Sequence, residues 1–156
     1  MHHIHEFTAR LDWTGASEGP TTTYQSYSRD YSVRLPSGPV LQGTAAVAFR
    51  GVDSRFNPED MLIASLAACH MLSYLALCAR KKIICTAYSD TPYGRMEQMD
   101  GRFRFTEVLL KPVVTISRDS DMDRAIALHH AAHEECFIAN SVNFPVLNDP
   151  TVRYAD

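Results

Sequence analysis

Asn57-Pro58-Glu59-Asp60, then MLIASLAACHMLSYLALCA from Met61 to Ala79, then Arg80-Lys81-Lys82, is the stretch on which the fold turns. Asn57 suits a helix N-cap, Pro58 the first helical position, and Glu59 and Asp60 place negative charge at the positive end of the dipole. The basic triplet complements the other end. Between these signals, Ser65, His70 and Ser73 are the clearly polar interruptions. A helix apolar on nearly every face must be surrounded. The run is long enough for a membrane span. Alanines, two serines and a histidine make it only mildly apolar, however, and the flanking chain is strand-like, so a core helix is expected and no membrane partner. A chain of this size has few elements to cover such a helix, and a second copy of it is a natural supplier of cover.

The 156 residues suggest a single domain, 1–156, large enough for a real core. With 46% apolar and 21% charged residues, disordered and collagenous readings are excluded. A formal net charge of -3 gives no reason to expect nucleic acid or an anionic membrane. Met1-His2-His3-Ile4-His5-Glu6 has neither an apolar signal region nor a cleavage signal, which points to a cytoplasmic chain. Its histidines read as a polar lead-in to the first strand. Four cysteines, Cys69, Cys78, Cys85 and Cys136, with no Cys-x-x-Cys pair, read as reduced thiols and not as a disulfide scaffold.

In chain order, Phe7, Ala9, Leu11 and Trp13 alternate, predicting a strand over Ile4–Trp13. A turn follows over Thr14–Thr22, then strands over Thr23–Leu35 and Val40–Phe49 with Pro36-Ser37-Gly38-Pro39 between them. After the central helix, strands are expected at Ile83–Tyr93 and Phe103–Ser117, the second with a bulge near Pro112. Asp100-Gly101 is a hairpin signal. Ser120-x-x-Asp123 resembles a capping box opening a second helix to about Ile138, and Thr151–Tyr154 suits a short final strand. The order, roughly βββ-α-ββ-α-β, makes the fold α+β with mostly antiparallel pairing.

Chemistry is carried by the thiols. Cys78 lies nine residues beyond Cys69, on the opposite side of a helix, so it reads as a packed core thiol, as does Cys85. Cys136 ends the second helix, and two cysteines on separate helices that both want burial could meet side by side. Burial raises a thiol pKa and a nearby cation lowers it; Arg29, Arg34, Arg50, Arg55 and His70 are the candidates. His70 points about 100° away from Cys69 on a helix and is a poor partner. Glu59 lies ten residues before Cys69, about 15 Å along an unbroken helix, so action at Cys69 needs a second subunit or a bend. A competing constellation is His129, His133 and Cys136 at i, i+4 and i+7, a spacing that suits zinc but lacks a fourth ligand; Met122 and Ile126 share that face. A Cys-His hydrolase built on Cys69 would need an oxyanion hole, for which no Gly-rich turn is seen.

Asn57-Pro58-Glu59-Asp60-Met61-Leu62 followed by Ala64-Ser65-Leu66-Ala67-Ala68-Cys69-His70, with His133-Glu134-Glu135-Cys136-Phe137-Ile138-Ala139-Asn140-Ser141 downstream, resembles the signature of the OsmC/Ohr family. The likeness extends from Phe7 to Tyr154. It implies an OsmC-like fold, antiparallel sheets wrapped around long central helices in an intertwined homodimer. It further implies a thiol peroxidase acting on organic hydroperoxides in oxidative stress defence. Carried over by position, Cys69 is the peroxidatic cysteine, Cys136 the resolving one, and Glu59 the carboxylate holding an arginine over the thiol. Arg29, in Tyr27-Ser28-Arg29-Asp30-Tyr31, is the favoured arginine, with Arg34 and Arg55 as rivals. The resemblance implies no cofactor and no metal, and an external dithiol, lipoylated or thioredoxin-like, as reductant. Met61, Leu62, Phe137 and Phe144 suit an alkyl or lipid substrate. Two positions depart from well-studied branches: His follows Cys69 where Phe is common, and Phe-Ile-Ala-Asn-Ser follows Cys136 where Cys-Pro-Val-Ser is usual. The alternative is a non-catalytic stress or metal-binding protein using His129, His133 and Cys136.

Overall fold

A computed structural model describes residues 3–36 and 38–156. Met1, His2 and Ser37 lie outside the described residues, and with them parts of the expected histidine lead-in and of the Pro36–Pro39 breaker. The chain gathers into two compact units, one ending at Met61 and one starting at Leu62.

The first unit holds a three-stranded antiparallel sheet of β1 (Arg10–Asp12), β2 (Tyr31–Arg34) and β3 (Val40–Gly43) in that order. All three expected strands are present but shortened, and the reasons are local. After β1 the chain turns into a 3-10 helix at Thr14–Glu18. Trp13 Nε1 donates to Ser28 O at 2.8 Å, and Arg29 donates to Tyr24 O and Tyr27 O. Those carbonyls are thus taken by side chains and are lost to a ladder, so 24–30 stays in turns. Beyond β3, a 3-10 turn at Val47–Phe49 closes on Arg50 in the left-handed region (φ 70). Gly43 is required by contact: a Cβ there would sit 2.3 Å from the Tyr31 ring.

Helix α1 spans Pro58–Lys81 and is capped as its sequence indicates, with Asn57 Oδ1 accepting from Asp60 N at 2.8 Å. It stops where Lys82 turns left-handed (φ 60). The second unit then carries β4 (Cys85–Asp90), β5 (Tyr93–Met99), β6 (Arg102–Leu110), β7 (Pro112–Ile116), α2 (Met122–Glu134), β8 (Val146–Asn148) and β9 (Thr151–Tyr154). They form two sheets, β4-β7-β9 and β5-β6-β8. The β5–β6 hairpin turns at Asp100 and Gly101, both with positive φ (51 and 76), the two-residue turn that the Asp-Gly pair favours.

Three expectations are corrected here. The single strand over Phe103–Ser117 is two strands in different sheets: at Lys111 the backbone N–H leaves the ladder for Asp90 Oδ1 (2.8 Å), and Pro112 has none to give. Helix α2 is capped by Asp121, whose Oδ1 accepts from Arg124 N at 3.0 Å, because Ser120 Oγ is already taken by Ile84 N at 2.9 Å. It ends at Glu134, four residues short of Ile138. The order runs βββ-α-ββββ-α-ββ and not βββ-α-ββ-α-β, while pairing is mostly antiparallel as expected, with β6–β8 and β7–β9 parallel.

In the second unit α1 contributes to two cores. Leu66 packs with Val108, Leu110 and Val146, and with the half-buried Leu62, Phe105 and Phe144. Further along, Tyr74, Leu77 and Cys78 pack with Ile83, Val114, Ile116 and the α2 residues Ala125, Leu128 and Ala132.

Candidate active site

Cys69, near the middle of α1, is half-buried; Cys136, in the turn beyond α2, is buried at 1% exposure. The chain is delivered there by a hydrogen-bonded turn. Cys136 N donates to His133 O (3.2 Å), Asn140 N to Cys136 O (3.0 Å), and Asn140 Nδ2 to Glu134 O (2.9 Å). Both thiols are free, and Cys69 lies near enough to Cys136 to act on its proton. Burial, and secondly the neighbouring Cys69 side chain, push the Cys136 thiol up to about 11, while Ala139 N–H, donating to its sulfur at 3.4 Å, pulls the other way. Cys136 therefore keeps its proton at neutral pH. Two unequal thiols in contact can pass through a disulfide: the more exposed one reacts with an incoming oxidant, and the buried one closes on it.

The other two thiols pack as expected. Cys78 lies in the core beside Tyr74, and the Cys85 thiol donates to Ala87 O at 3.4 Å; burial raises the pKa of both.

The histidines were not legible in sequence. His70 and His129 are each 1% exposed, with His70 Nε2 3.0 Å from His129 Nδ1. The His129 ring stacks on Tyr74 at 3.9 Å, and the Tyr74 hydroxyl donates to Ala125 O at 3.1 Å. Burial depresses His70 to about 4 and His129 to about 3, with smaller contributions from His133 and His70 respectively. Both are neutral at pH 7. His70 Nδ1 and His129 Nε2 are buried without a partner. Since one ring donates to the other, the pair leaves one donor and one acceptor unsatisfied, at a cost of about 1–3 kcal/mol each. The shared face of His129, His133, Cys136 and Ile126 also breaks up, because Ile126 is exposed where His129 is buried. Among the described residues no three His, Cys, Asp or Glu are grouped to hold a metal ion. The sequence offered no signal for the His70–His129 contact beyond two histidines on apolar helix faces.

In the first unit, Glu59 Oε2 and the Tyr31 hydroxyl are buried without hydrogen-bond partners, and burial and then Glu59 raise the Tyr31 pKa. Arg29 is not paired with Glu59: its guanidinium is held by Tyr24 O and Tyr27 O and lies 3.8 Å over the Tyr27 ring. Arg55 spends its charge on Asp30 at 2.6 Å, and Arg34 is exposed at the end of β2.

Of the apolar residues expected near a substrate, Leu62 and Phe144 are absorbed by the core and Phe137 is 81% exposed. Phe137 lines a groove of about 480 Å³ with Leu72, Ser73, Ala76, Arg80 and Glu135, and an Arg80–Glu135 ion pair (3.3 Å) belongs to the same lining.

A long apolar helix carrying Cys69, a second helix whose end delivers Cys136 to it, and three-stranded sheets, two of them mixed, define an α+β fold of the OsmC type. The model of the OsmC-like protein family matches residues 51–147, and this chain belongs to that family. A solved OsmC-like protein of unknown function from Vibrio cholerae is 30% identical, with 94% of this chain and 99% of that one covered and a TM-score of 0.84. An organic hydroperoxide resistance protein from Elizabethkingia anophelis shares the fold at 20% identity, 99% and 100% coverage and a TM-score of 0.71. An OsmC-like protein from Mycoplasma pneumoniae does so at 13% identity, 96% and 99% coverage and a TM-score of 0.75. Comparison with curated protein sequences finds no match.

Proposed function

We propose that this protein is a thiol-dependent peroxidase that reduces organic hydroperoxides in oxidative stress defence. The observation that carries the reading is the contact between a half-buried Cys69 and a buried, proton-holding Cys136. The organic hydroperoxide resistance protein of the same fold supports the substrate class. In the first step the Cys69 thiolate attacks the distal oxygen of the hydroperoxide. The O–O bond breaks, an S–O bond forms, and the departing alkoxide takes up a proton to leave as alcohol. Cys136 then attacks the sulfenic sulfur, the S–S bond forms, and the hydroxyl leaves as water with the thiol proton. An external dithiol, lipoylated or thioredoxin-like, restores both thiols. Such a cycle suits a reducing, cytoplasmic compartment.

Glu59 and Arg29 complete the proposed catalytic set, with Arg29 as the cation that favours the thiolate and Glu59 as the carboxylate that holds it. An unpartnered Glu59 oxygen supports this, as does the fact that Arg29 is bound to neutral carbonyls and not to an acid. Arg55 is the weaker rival because Asp30 already takes its charge.

The reading includes a homodimer. Ala64, Ala68, Leu72 and Ala76 recur every four residues on an exposed α1 face, and only 28% of the most apolar window of this helix is buried within the chain. A helix of that composition needs cover.

The test is turnover of cumene hydroperoxide with a dithiol such as dihydrolipoamide. The wild-type chain should consume both in equal amounts, and Cys69→Ser should fall to background. A Cys69→Ser protein that turns over normally would contradict the reading.

A further inference from the structure

His70 and His129 fall outside the chemistry just described, yet they are fully buried, and neither ring points its bond at a cysteine. What they join is the two helices that carry the cysteines. His70 directly follows Cys69 on α1, and His129 lies on α2, whose end delivers Cys136 through a hydrogen-bonded turn. A second link lies one turn away on both helices, from the Tyr74 hydroxyl to Ala125 O at 3.1 Å, and Tyr74 also stacks on His129. Two links at successive turns fix both the sliding and the rotation of α2 against α1. The Arg80–Glu135 pair is exposed and adds little to this.

The choice of residue argues for direction over simple cohesion. Apolar side chains would fill the same space without stranding His70 Nδ1 and His129 Nε2. A hydrogen bond of 3.0 Å, by contrast, permits one relative placement of the two rings, as Leu or Met would not.

From this geometry we infer that the His70–His129 hydrogen bond is a positioning device that sets Cys69 and Cys136 at the separation needed for disulfide closure. The inference rests on the two-thiol reading above, but its core, the mutual reach of the two sulfurs, is measurable without a hydroperoxide. Both residues are positioning residues, since neither touches a reacting atom.

The experiment measures the effective concentration of the Cys69 and Cys136 thiols toward each other in a glutathione redox buffer. There, oxidised glutathione takes two electrons from the pair and leaves as two reduced molecules. Cys78→Ala and Cys85→Ala serve as background. His70→Leu and His129→Leu should each lower the effective concentration about tenfold or more, because small misplacements of reacting groups are costly. The double variant His70→Gln, His129→Asn should recover to within about threefold, since the Gln amide nitrogen reproduces the His Nε2 position and the Asn amide the Nδ1 position. Leu variants with the wild-type value, or a Gln/Asn pair as poor as the Leu variants, would overturn the inference. Should the Leu variants fail to fold, His129→Gln is compared with His129→Asn in the His70→Gln background. Asn should exceed Gln, which displaces the amide by one methylene; equal values overturn the inference. A wild-type protein inert to cumene hydroperoxide would sink the peroxidase reading alone, leaving the glutathione comparison to judge the histidine pair.

Discussion

Cys69 and Cys136 are the same functional group in two environments, and the difference underlies the order of action proposed for them. Burial raises the Cys136 thiol and the neighbouring Cys69 side chain raises it further, so in the proposed cycle it stays protonated until a sulfenic acid forms on Cys69. Cys136→Ser should therefore leave the first step intact and the second absent: one equivalent of hydroperoxide should yield a chain carrying a single dimedone adduct at Cys69, read by mass spectrometry. An adduct on Cys78 or Cys85 instead would contradict the assignment. The histidine pair gives a prediction in pH. His70 and His129 have folded pKa values of about 4 and about 3 against an ordinary 6.5, so the unfolded chain binds protons there more readily than the folded one. Their neutral forms favour the fold fully above pH 6.5, and that contribution is lost as pH falls from there toward about 4 and about 3. Urea unfolding at pH 7 and pH 5 should show this loss in the wild type, and the His70→Gln, His129→Asn protein should show a flatter dependence. At this scale the sequence was only half legible. Two cysteines that both want burial could be expected to meet, whereas a bond between histidines 59 residues apart leaves no periodic trace.

Helix α1 was readable because every signal for it is local: Asn57 at the cap, Asp60 N–H on its side chain, acid at one end and base at the other. The strands were harder, since their extent depends on who takes each carbonyl. In 24–30 side-chain donors take them, and at Lys111 a carboxylate draws off the backbone N–H, splitting a largely apolar run into two strands. The α2 cap was misplaced by one residue for a similar reason, as Ser120 is engaged by the backbone of Ile84. Asp121→Ala should accordingly destabilise the fold by about 1 kcal/mol, a typical cost of losing an N-cap, while Asp123→Ala should have little effect. Chemical denaturation of the two variants checks this, and equal losses would contradict the cap assignment.

At the scale of the whole molecule, the fold class and the family could be read from the chain, because the central helix with Cys69 and the distant Cys136 are sequence features. The two parallel pairings, β6–β8 and β7–β9, could not, since they depend on where the C-terminal strands return. An exposed stripe of Ala64, Ala68, Leu72 and Ala76 marks the face proposed for the second copy. Leu72→Glu, at a side chain 63% exposed in the single chain, should convert a dimer to monomer by light scattering; an unchanged mass would contradict that proposal. The central claim is that two thiols distant in sequence form one redox unit, and a peptide map after stoichiometric oxidation tests it most directly. One equivalent of cumene hydroperoxide should consume two thiols per chain and join the Cys69 and Cys136 peptides. A bridge from Cys69 to Cys78, or loss of thiols with no bridge to Cys136, would contradict it.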